Sequence, residues 1–416
     1  MKIAMISEHA SPLAAIGGVD AGGQNVHVAA LSTALAERGH QVSVYTRRDD
    51  PQLPERVQVC QGFEVVHVDA GPPEPISKDL ILPYMGELAR AVAADWGTTP
   101  PAVVHGHFWM SGLAALQAAR LAEAPVAVAQ TFHALGTVKR RHQGAADTSP
   151  EERSWMEPAV AQDVDCIVAT CSDEVFELRA MGAEGQRISI VPCGVDTDLF
   201  TAQGPAEARG RRYRIASIGR LVPRKGVATV IASLAELAKL GITDIELVII
   251  GGAGGAGSLE SDPEAARLRD LANELGVGDQ VIFRGQLPRE QMPQLIRSCN
   301  AVVCDPWYEP FGIVPLEAMA CGVPVIASTV GGLVDTVVDS VTGLHIPPRD
   351  EAALAQALQR LLNDEQFAAR MGAAGRERAV TRYSWQRIAT DTERVYGQLV
   401  SRPSAAREER MMGRAQ

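Results

Sequence analysis

The sequence lacks several features that would assign it to a broad class at once. No apolar run reaches the roughly 18 residues needed to span a bilayer, and the N-terminus resembles a short strand rather than a signal peptide. The formal net charge is -11 and the pI is near 5.4, which argues against a basic surface for nucleic acid. We therefore expect a cytoplasmic protein with no transmembrane segment and no nucleic-acid partner.

Cysteine is also scarce and shows no metal-binding or redox pattern. The seven cysteines include no C-x-x-C pair, and an odd number fits a reduced compartment better than a disulfide framework. Cys166 and Cys171 lie in or beside an apolar stretch. This position favours burial over a metal or redox role.

The chain of 416 residues is longer than one hydrophobic core usually supports. Strand and helix patterns alternate in both halves, which predicts an α/β protein with two doubly wound parallel-sheet domains that face each other across a cleft. We expect one domain over residues 1–200 and another over residues 213–382, joined by a linker rich in Ala, Gly, Arg and Glu. The composition of residues 401–416, which is rich in Arg, Glu and Met, predicts a disordered tail.

One stretch in the second half combines two carboxylates with helix and turn signals. An apolar strand ends near Asp305, the loop after it carries Glu309, and a helix then carries Glu317 until Gly322 stops it. Free N–H groups and the positive dipole end at this helix start attract a negative ligand, while carboxylates accept hydrogen bonds from hydroxyl groups. The pair therefore suits a polyhydroxylated, phosphorylated ligand. On spacing alone, two surface acids are an equally good interpretation.

A glycine-rich loop near the N-terminus is a second candidate site. The apolar strand 2–7 is followed by the glycine-rich residues 17–25 and then by Val28, Leu31 and Leu35 at helical spacing. Glycines at a helix start let N–H groups approach phosphate oxygens. The loop is not a G-x-G-x-x-G fingerprint, which disfavours an NAD-dependent dehydrogenase, and a simple tight turn remains the alternative.

Basic residues and a histidine follow two further predicted strands. Arg220 and Lys225 come after strand 213–219 and before a helix, where two fixed cations can stabilise the charge that develops on a diphosphate. His107 ends the predicted strand 103–107, at the edge where open parallel sheets bind ligands. It can hydrogen-bond a sugar hydroxyl there, and a satisfied structural histidine is the alternative.

These motifs resemble those of the retaining, nucleotide-sugar-dependent glycosyltransferases of family 4, which have the GT-B fold of two facing Rossmann-like domains. The likeness rests on E-P-F-G at 309–312, A-C-G-V-P-V at 320–325 and G-R-L-x-x-x-K-G at 219–226. It implies an N-terminal acceptor domain, a C-terminal donor domain, and a helix over about 385–400 that packs back on the first domain. It also implies a hexosyltransferase that uses a nucleoside-diphosphate sugar, such as a UDP-sugar, and retains the anomeric configuration.

The resemblance implies a role for each candidate residue. The catalytic residues it implies are His107, Arg220, Lys225 and Glu309. The donor-binding residues it implies are Gly22, Gly23, Arg220, Lys225, Glu309, Phe311, Gly312, Ile313 and Glu317. Within this set, Glu309 would contact the donor sugar and Glu317 the ribose. Arg220 and Lys225 would replace the metal ion of other transferases, so neither a metal nor another cofactor is expected.

Further motifs resemble the inositol-phosphate N-acetylglucosaminyltransferases of mycothiol biosynthesis and, in part, sucrose-phosphate synthases. These motifs are D-x-G-G-x-N at 20–25 and H-x-H-F-W at 105–109. The acceptor-binding residues they imply are His9, Asp20, Asn25, Lys78, His133 and Arg153. Phe108 and Ala134 replace a tyrosine and a threonine that hold the acceptor phosphate in the mycothiol enzymes. The acceptor could therefore be a sugar phosphate instead of an inositol phosphate.

Two other function classes fit the same fold. A nucleotide-sugar epimerase would turn over the donor with no acceptor, but the acceptor-side motifs argue against it. A catalytically silent sugar-nucleotide sensor should have lost its Arg, Lys or Glu positions, and all of them are present. The expected partners are therefore a nucleotide-sugar donor and a small-molecule acceptor, and the sequence leaves a homodimer open.

Overall fold

The computed structural model describes residues 1–14, 22–252 and 259–401 and divides them into two compact units. The N-unit contains residues 1–14, 22–192 and 385–401, and the C-unit contains residues 193–252 and 259–384. Each unit has helices packed against a sheet. None of the helices in the described ranges is long and apolar enough to cross a membrane.

The N-unit is built on an eight-stranded sheet. Its strands are β1 (Lys2–Ile6), β2 (Gln41–Arg47), β3 (Arg56–Cys60), β4 (Phe63–Val68), β5 (Val103–His107), β6 (Ala127–Thr131), β7 (Cys166–Ala169) and β8 (Ile188–Ile190). Its first six helices are α1 (Gly23–Glu37), α2 (Met85–Trp96), α3 (Trp109–Leu121), α4 (Gly136–Gln143), α5 (Arg153–Asp163) and α6 (Ser172–Ala180).

The strand order of this sheet brings three loops to one edge. The order is β3-β4-β2-β1-β5-β6-β7-β8, and neighbouring strands run parallel except β3 and β4. Parallel strands end at the same edge, so the loops after the neighbouring strands β1, β5 and β6 are close in space. The apolar central strands are buried along their length.

The C-unit is built on a six-stranded parallel sheet. Its strands are β9 (Tyr213–Ile218), β10 (Ile245–Ile250), β11 (Val281–Gly285), β12 (Ala301–Cys304), β13 (Val325–Ser328) and β14 (Gly343–Ile346). Its helices are α7 (Val227–Lys239), α8 (Pro263–Glu274), α9 (Met292–Arg297), α10 (Ile313–Ala320), α11 (Leu333–Thr336), α12 (Glu351–Asn363) and α13 (Glu365–Tyr383).

The order β11-β10-β9-β12-β13-β14 has its topological switch point between β9 and β12. The chain winds away from β9 in one direction through β10 and β11, and in the other through β12, β13 and β14. Open parallel sheets bind ligands in the crevice outside the strand ends at such a point. The loops after β9 and β12 are those that carry the basic pair and Glu309.

The last helix, α14 (Trp385–Ser401), belongs to the N-unit. Its buried residues recur at helical spacing, and they are Trp385, Ile388, Ala389, Thr392, Tyr396 and Leu399. The Tyr396 hydroxyl is 2.6 Å from Nδ1 of His105 on β5. This contact ties the helix to the middle of the sheet.

The doubly wound α/β fold predicted from the sequence is confirmed, with one antiparallel edge strand, β3. The units divide after Pro192, before the predicted end of the first domain at residue 200, because Val195 and Phe200 are buried in the C-unit core. The predicted tail lies outside the described residues except Ser401, which ends α14. Cys166 and Cys171 are buried, as predicted.

Candidate functional site

A charged pair joins the two loops at the switch point of the C-unit. Lys225 ends a short 3₁₀ turn after β9, and Glu309 lies in the loop after β12. The Lys225 ammonium donates to Oε2 of Glu309 at 2.5 Å. The Trp307 N–H donates to the Arg224 carbonyl at 2.8 Å, which adds a backbone link between the same loops. Two of the predicted catalytic residues are therefore in direct contact.

Gly226 lets the two loops approach each other. Its φ is +73°, and a Cβ at this position would lie 1.8 Å from the carbonyl oxygen of Asp305. No L-residue side chain fits there without moving one of the loops. The glycine of the G-R-L-x-x-x-K-G motif therefore has a structural reason, which is the close packing of the two backbones.

Glu309 is held in its charged form. Burial alone would raise its pKa, but the adjacent Lys225 ammonium, the Arg224 guanidinium and the Phe311 N–H outweigh this effect and leave the pKa below its usual value. The carboxylate is thus an ionised hydrogen-bond acceptor beside a cation. It can accept from ligand hydroxyls while Lys225 offers positive charge to a phosphate.

Glycines also fix the backbone of the Glu309 loop. Gly312 caps α10 with a φ of +76°, and Ile313 is the first helical residue. The Gly332 N–H donates to the Glu309 carbonyl at 2.8 Å, and a Cβ on Gly331 would lie 2.3 Å from that oxygen. The loop is therefore held in one path by backbone contacts from the turn after β13.

Glu317 lies on the second turn of α10 and is buried, with a side chain that is 7% exposed. Its Oε1 accepts from Nη1 of Arg289 at 3.0 Å. Burial raises the pKa of Glu317 to about 7, although the charge and hydrogen bond of Arg289 act in the opposite direction. The carboxyl therefore titrates near neutral pH, unlike that of Glu309.

Sequence reasoning missed two basic residues of the C-unit. It placed a third, Arg220, in the loop after β9, where the structure has it, and the role of Arg220 stays a prediction. Arg224 contributes charge to Glu309, and Arg289 binds Glu317. Arg224 stands beside Lys225, so its charge could have been noticed, whereas nothing in the local pattern marks Arg289. Arg220 is exposed, and its side chain makes no hydrogen bond or ion pair with the described residues, although its carbonyl accepts from the Val222 N–H at 3.0 Å.

Asp305 at the end of β12 is a buried acid that sequence reasoning did not single out. It is 1% exposed, and neither carboxyl oxygen has a hydrogen-bond partner among the described residues. Burial raises its pKa to about 7, while the Thr229 hydroxyl and the Arg349 N–H act in the opposite direction from positions that are close to the carboxyl but outside hydrogen-bond geometry. It packs under the Gly226 turn, with Oδ2 3.1 Å from the position of a Cβ there.

In the N-unit, the end of the glycine-rich loop closes on its own helix. The Gly22 N–H donates to Oδ1 of Asn25 at 2.9 Å, and Nδ2 of Asn25 donates to the Ser11 carbonyl at 2.8 Å. Gly23 is the first residue of α1. The buried Asn25 side chain therefore links Gly22 to Ser11, and its role toward an acceptor stays a prediction. Asp20 lies outside the described residues.

His107 and His133 form a hydrogen-bonded pair at the ends of β5 and β6. Nδ1 of His107 is 2.9 Å from Nε2 of His133, and the rings stack at 5.1 Å. Both rings are buried, and His133 has a φ of +63°. Burial, followed by the mutual influence of the histidines, lowers both pKa values well below the ordinary range. Nε2 of His107 is buried and has no hydrogen-bond partner among the described residues.

Two more buried histidines surround this pair. The His105 ring lies 4.2 Å from that of His107, and the His27 ring contacts those of His107 and His133. Thr131 donates its hydroxyl to the Val168 carbonyl, so it accepts from Nε2 of His105, and Nδ1 of His105 accepts from Tyr396. Burial lowers the pKa of His27 to about 4 and that of His105 to about 3.

Arg153, assigned to the acceptor phosphate, is committed to protein partners. Its guanidinium is 3% exposed and donates to Glu157 at 2.9 Å and to the Ala134 carbonyl at 2.6 Å. It also lies over the Phe108 ring at 5.0 Å. Through the Ala134 carbonyl, Arg153 holds the segment after β6. Because Arg153 is already paired with Glu157, an acceptor phosphate would have to compete with Glu157 for the guanidinium.

The other predicted acceptor residues lie around this edge of the N-unit sheet. His9 follows β1, with Nδ1 2.8 Å from Oε1 of Glu8 and its ring at 5.0 Å from Phe108. Lys78 is half-buried at the start of a short 3₁₀ turn, Lys78–Leu80. Within the described ranges no group of three or more His, Cys, Asp or Glu side chains could hold a metal ion.

Two family models match the chain, one on each half. The model described as "Glycosyltransferase Family 4" matches residues 21–199, and the model described as "Glycosyl transferases group 1" matches residues 202–378. Together they cover both loops of the C-unit site and the histidine cluster.

Similar proteins span nearly the whole chain. A D-inositol 3-phosphate glycosyltransferase of Stackebrandtia nassauensis is 34% identical over 415 residues, covering 96% of this chain and 92% of that protein. One of Xylanimonas cellulosilytica is 36% identical, covering 97% and 98%. The solved sucrose-phosphate synthase of Thermosynechococcus elongatus is 32% identical with a TM-score of 0.84, covering 96% and 98%. The chain therefore belongs to the GT-B glycosyltransferases of the family 4 type and is a hexosyltransferase.

Proposed function

We propose that this glycosyltransferase moves a hexose from a nucleoside-diphosphate sugar, first of all a UDP-sugar, to a small hydroxylated acceptor such as an inositol phosphate, with retention of anomeric configuration. The observation that carries the proposal is the contact between Lys225 and Glu309 at the switch point. A cation and an ionised acceptor side by side match the two parts of such a donor, which are its diphosphate and its sugar hydroxyls.

In the reaction, the bond between the sugar C1 and the diphosphate oxygen breaks, and its electron pair stays on the phosphate oxygen. Lys225, with Arg220 and Arg224 in the same loop after β9, would stabilise this charge as it develops. The acceptor hydroxyl forms the new bond to C1 on the same face and passes its proton to the departing diphosphate. Glu309 would hold the sugar hydroxyls, and Glu317 would hold the ribose. His107, on the N-unit, keeps its predicted role toward a sugar hydroxyl.

The site residues define the acceptor less closely than the donor. The relatives' names point to an inositol phosphate, but Phe108 and Ala134 lack the hydroxyl groups expected for that phosphate, and Arg153 is paired with Glu157. A phosphate that loses two neutral hydrogen bonds would lose about 1 to 3 kcal/mol of binding. Transfer to a sugar phosphate, as the name of the solved sucrose-phosphate synthase indicates, is therefore the second candidate.

Nucleotide release from UDP-, GDP- and ADP-sugars should be measured with and without myo-inositol 3-phosphate or fructose 6-phosphate, with the products weighed by mass spectrometry. We expect acceptor-dependent release and a product that is heavier than the acceptor by one glycosyl residue. The anomeric configuration of the product, read by NMR coupling constants, should equal that of the donor. Donor turnover that ignores every acceptor and yields an isomer of equal mass would instead indicate an epimerase.

The role of Lys225 can be tested against another lysine of the same unit. Lys225→Ala should lower kcat by about 100-fold or more, because it removes the cation that stabilises the negative charge developing on the leaving diphosphate in the transition state. Lys239→Ala is the matched control, since Lys239 is exposed on α7 and, among the described residues, pairs with Glu236 on the same helix. Unchanged turnover and donor affinity in Lys225→Ala would show that the leaving-group assignment is wrong.

A further inference from the structure

Glu317 has one oxygen held by the protein and one left for a ligand. Oε1 accepts from Arg289 at 3.0 Å, whereas Oε2 makes no hydrogen bond with the described residues. The carboxyl sits on the second turn of α10, the helix that starts behind the Glu309 loop. A carboxylate fixed at one oxygen in this way has the orientation of its second oxygen set by the protein.

Arg289 is itself fixed by packing. It begins a 3₁₀ turn before α9, and its guanidinium lies over the Phe200 ring at 5.1 Å from the ring centre. Phe200 is fully buried in the C-unit core, so the guanidinium rests on an immobile surface. Arg289 can therefore act as a rigid holder for Glu317, because its planar group is pinned on one side and paired on the other.

The surroundings of Glu317 otherwise oppose its negative charge. Asp196 adds a like charge near Glu317. The neighbouring side chains of Cys193, Cys304 and Cys321 carry no positive charge that could stabilise the carboxylate. Arg289 is the group that lowers the pKa of Glu317, and the pKa is about 7 even in its presence. Without Arg289, the carboxyl would hold a proton at neutral pH and would lose an acceptor position for ligand hydroxyls.

We propose that Arg289 is a positioning residue that keeps Glu317 ionised and aims its free oxygen at the ribose hydroxyls of the donor nucleotide, and so determines the preference for ribonucleotides over deoxyribonucleotides. This inference rests on the proposed function, in which Glu317 holds the ribose. The contact lies outside the motifs that carry the family resemblance, and it acts through Glu317 rather than on the reacting atoms.

The test measures the dissociation constants of UDP and dUDP, ADP and dADP, and GDP and dGDP by calorimetry. In the pair that binds most tightly, the ratio of the dissociation constant of the deoxyribonucleotide to that of the ribonucleotide reports the ribose preference, whichever base the protein favours. The variants are Arg289→Met, Arg289→Lys and Glu317→Gln. Arg267→Met is the control, because Arg267 pairs with Glu264 on the exposed face of α8. Circular dichroism and thermal unfolding establish that each variant is folded.

At pH 8 we expect the wild type and Arg267→Met to bind the ribonucleotide about tenfold more tightly than its deoxy analogue, the effect of one hydrogen bond to a charged acceptor. Arg289→Met should lose most of this preference and regain it as the pH rises toward 9.5, because base restores the carboxylate. Arg289→Lys should keep most of it. Glu317→Gln should show a reduced preference that does not change with pH.

The outcomes separate this inference from the proposed function. If Glu317→Gln loses the preference and Arg289→Met keeps it at every pH, the role of Arg289 is refuted while the ribose contact stands. A loss in Arg289→Met that does not recover at high pH would also refute it, because a purely structural defect has no reason to respond to pH. If the wild type shows no ribose preference in any pair, the assignment of Glu317 fails and this inference fails with it.

Discussion

Acid should destabilise the N-unit through the cluster of four buried histidines formed by His27, His105, His107 and His133. Their rings lie within 6 Å of one another in a chain of contacts, and burial lowers the pKa of each, to about 4 for His27 and about 3 for His105. In the unfolded chain a histidine titrates near 6.5. The unfolded state therefore binds more protons below pH 6.5, and stability is fully present above that pH and lost as the pH falls toward 4.

The magnitude follows from the proton linkage. At pH 5, a histidine that stays neutral in the folded protein costs about 2 kcal/mol of stability relative to high pH, so four cost about 8 kcal/mol together. This is an upper bound, because burial raises the pKa values of Glu157 and Glu174, and these acids take up protons on folding in the same unit. A loss of even half this size is a large part of the 5 to 15 kcal/mol that stabilises a typical domain.

Urea unfolding, followed by circular dichroism at pH 8, 7, 6 and 5, measures the effect directly. The free energy of unfolding should fall steeply between pH 6.5 and 5, and His27→Leu should make the slope shallower by the equivalent of one proton. His142→Gln controls for the loss of a histidine as such, because His142 is exposed on α4. A free energy of unfolding that is flat from pH 7 to 5 would refute the reasoning, since the cluster could then not be neutral and buried.

Three further substitutions test individual contacts. Gly226→Ala should destabilise the C-unit by about 2 kcal/mol or more and weaken nucleotide binding, because its Cβ meets the Asp305 carbonyl; urea unfolding and calorimetry measure both effects. Tyr396→Phe should cost about 1 to 3 kcal/mol of stability, because it leaves Nδ1 of His105 without a donor. Asp305→Asn should stabilise the protein by up to about 4 kcal/mol above pH 7 and by less at pH 5, because the buried acid with its raised pKa is charged only at high pH. An equal gain at both pH values would contradict this interpretation of Asp305.

The sequence predicted those parts of the fold that depend on apolar runs and glycine stops. It missed the hairpin of β3 and β4. The outer strand β3 is exposed or half-exposed along its whole length, so it presents no buried apolar face that would mark it as a strand. The turn between β3 and β4 uses Gly62 at a φ of +85°. Edge strands of this kind are specified by their partner strand, so local pattern alone does not reveal them.

The sequence predicted those candidate site residues that lie within a recognisable local motif. Lys225 and Glu309 each stand after a predicted strand, but their contact requires β9 and β12 to be neighbours, and strand order is a tertiary property. Arg289 lies in no motif, and His27 sits within an apolar helix face where it reads as part of the core. Contacts between distant segments decide these roles, and no spacing along the chain encodes them.

The two carboxylates of the C-unit site, Glu309 and Glu317, lie eight positions apart on one loop and the helix after it. Their surroundings shift their pKa values in opposite directions. Glu309 has Lys225 and Arg224 beside it, so its pKa falls although it is buried. Glu317 has Arg289 alone against burial and the charge of Asp196, so its pKa rises to about 7. Near neutral pH, Glu309 is therefore constantly charged, whereas Glu317 changes its charge. Of these two residues, the one assigned to the ribose should therefore make donor binding depend on pH in this range and the one assigned to the sugar should not. The contribution of Glu317 should disappear in Glu317→Gln, whereas a contribution from Asp305, whose pKa is also about 7, should remain.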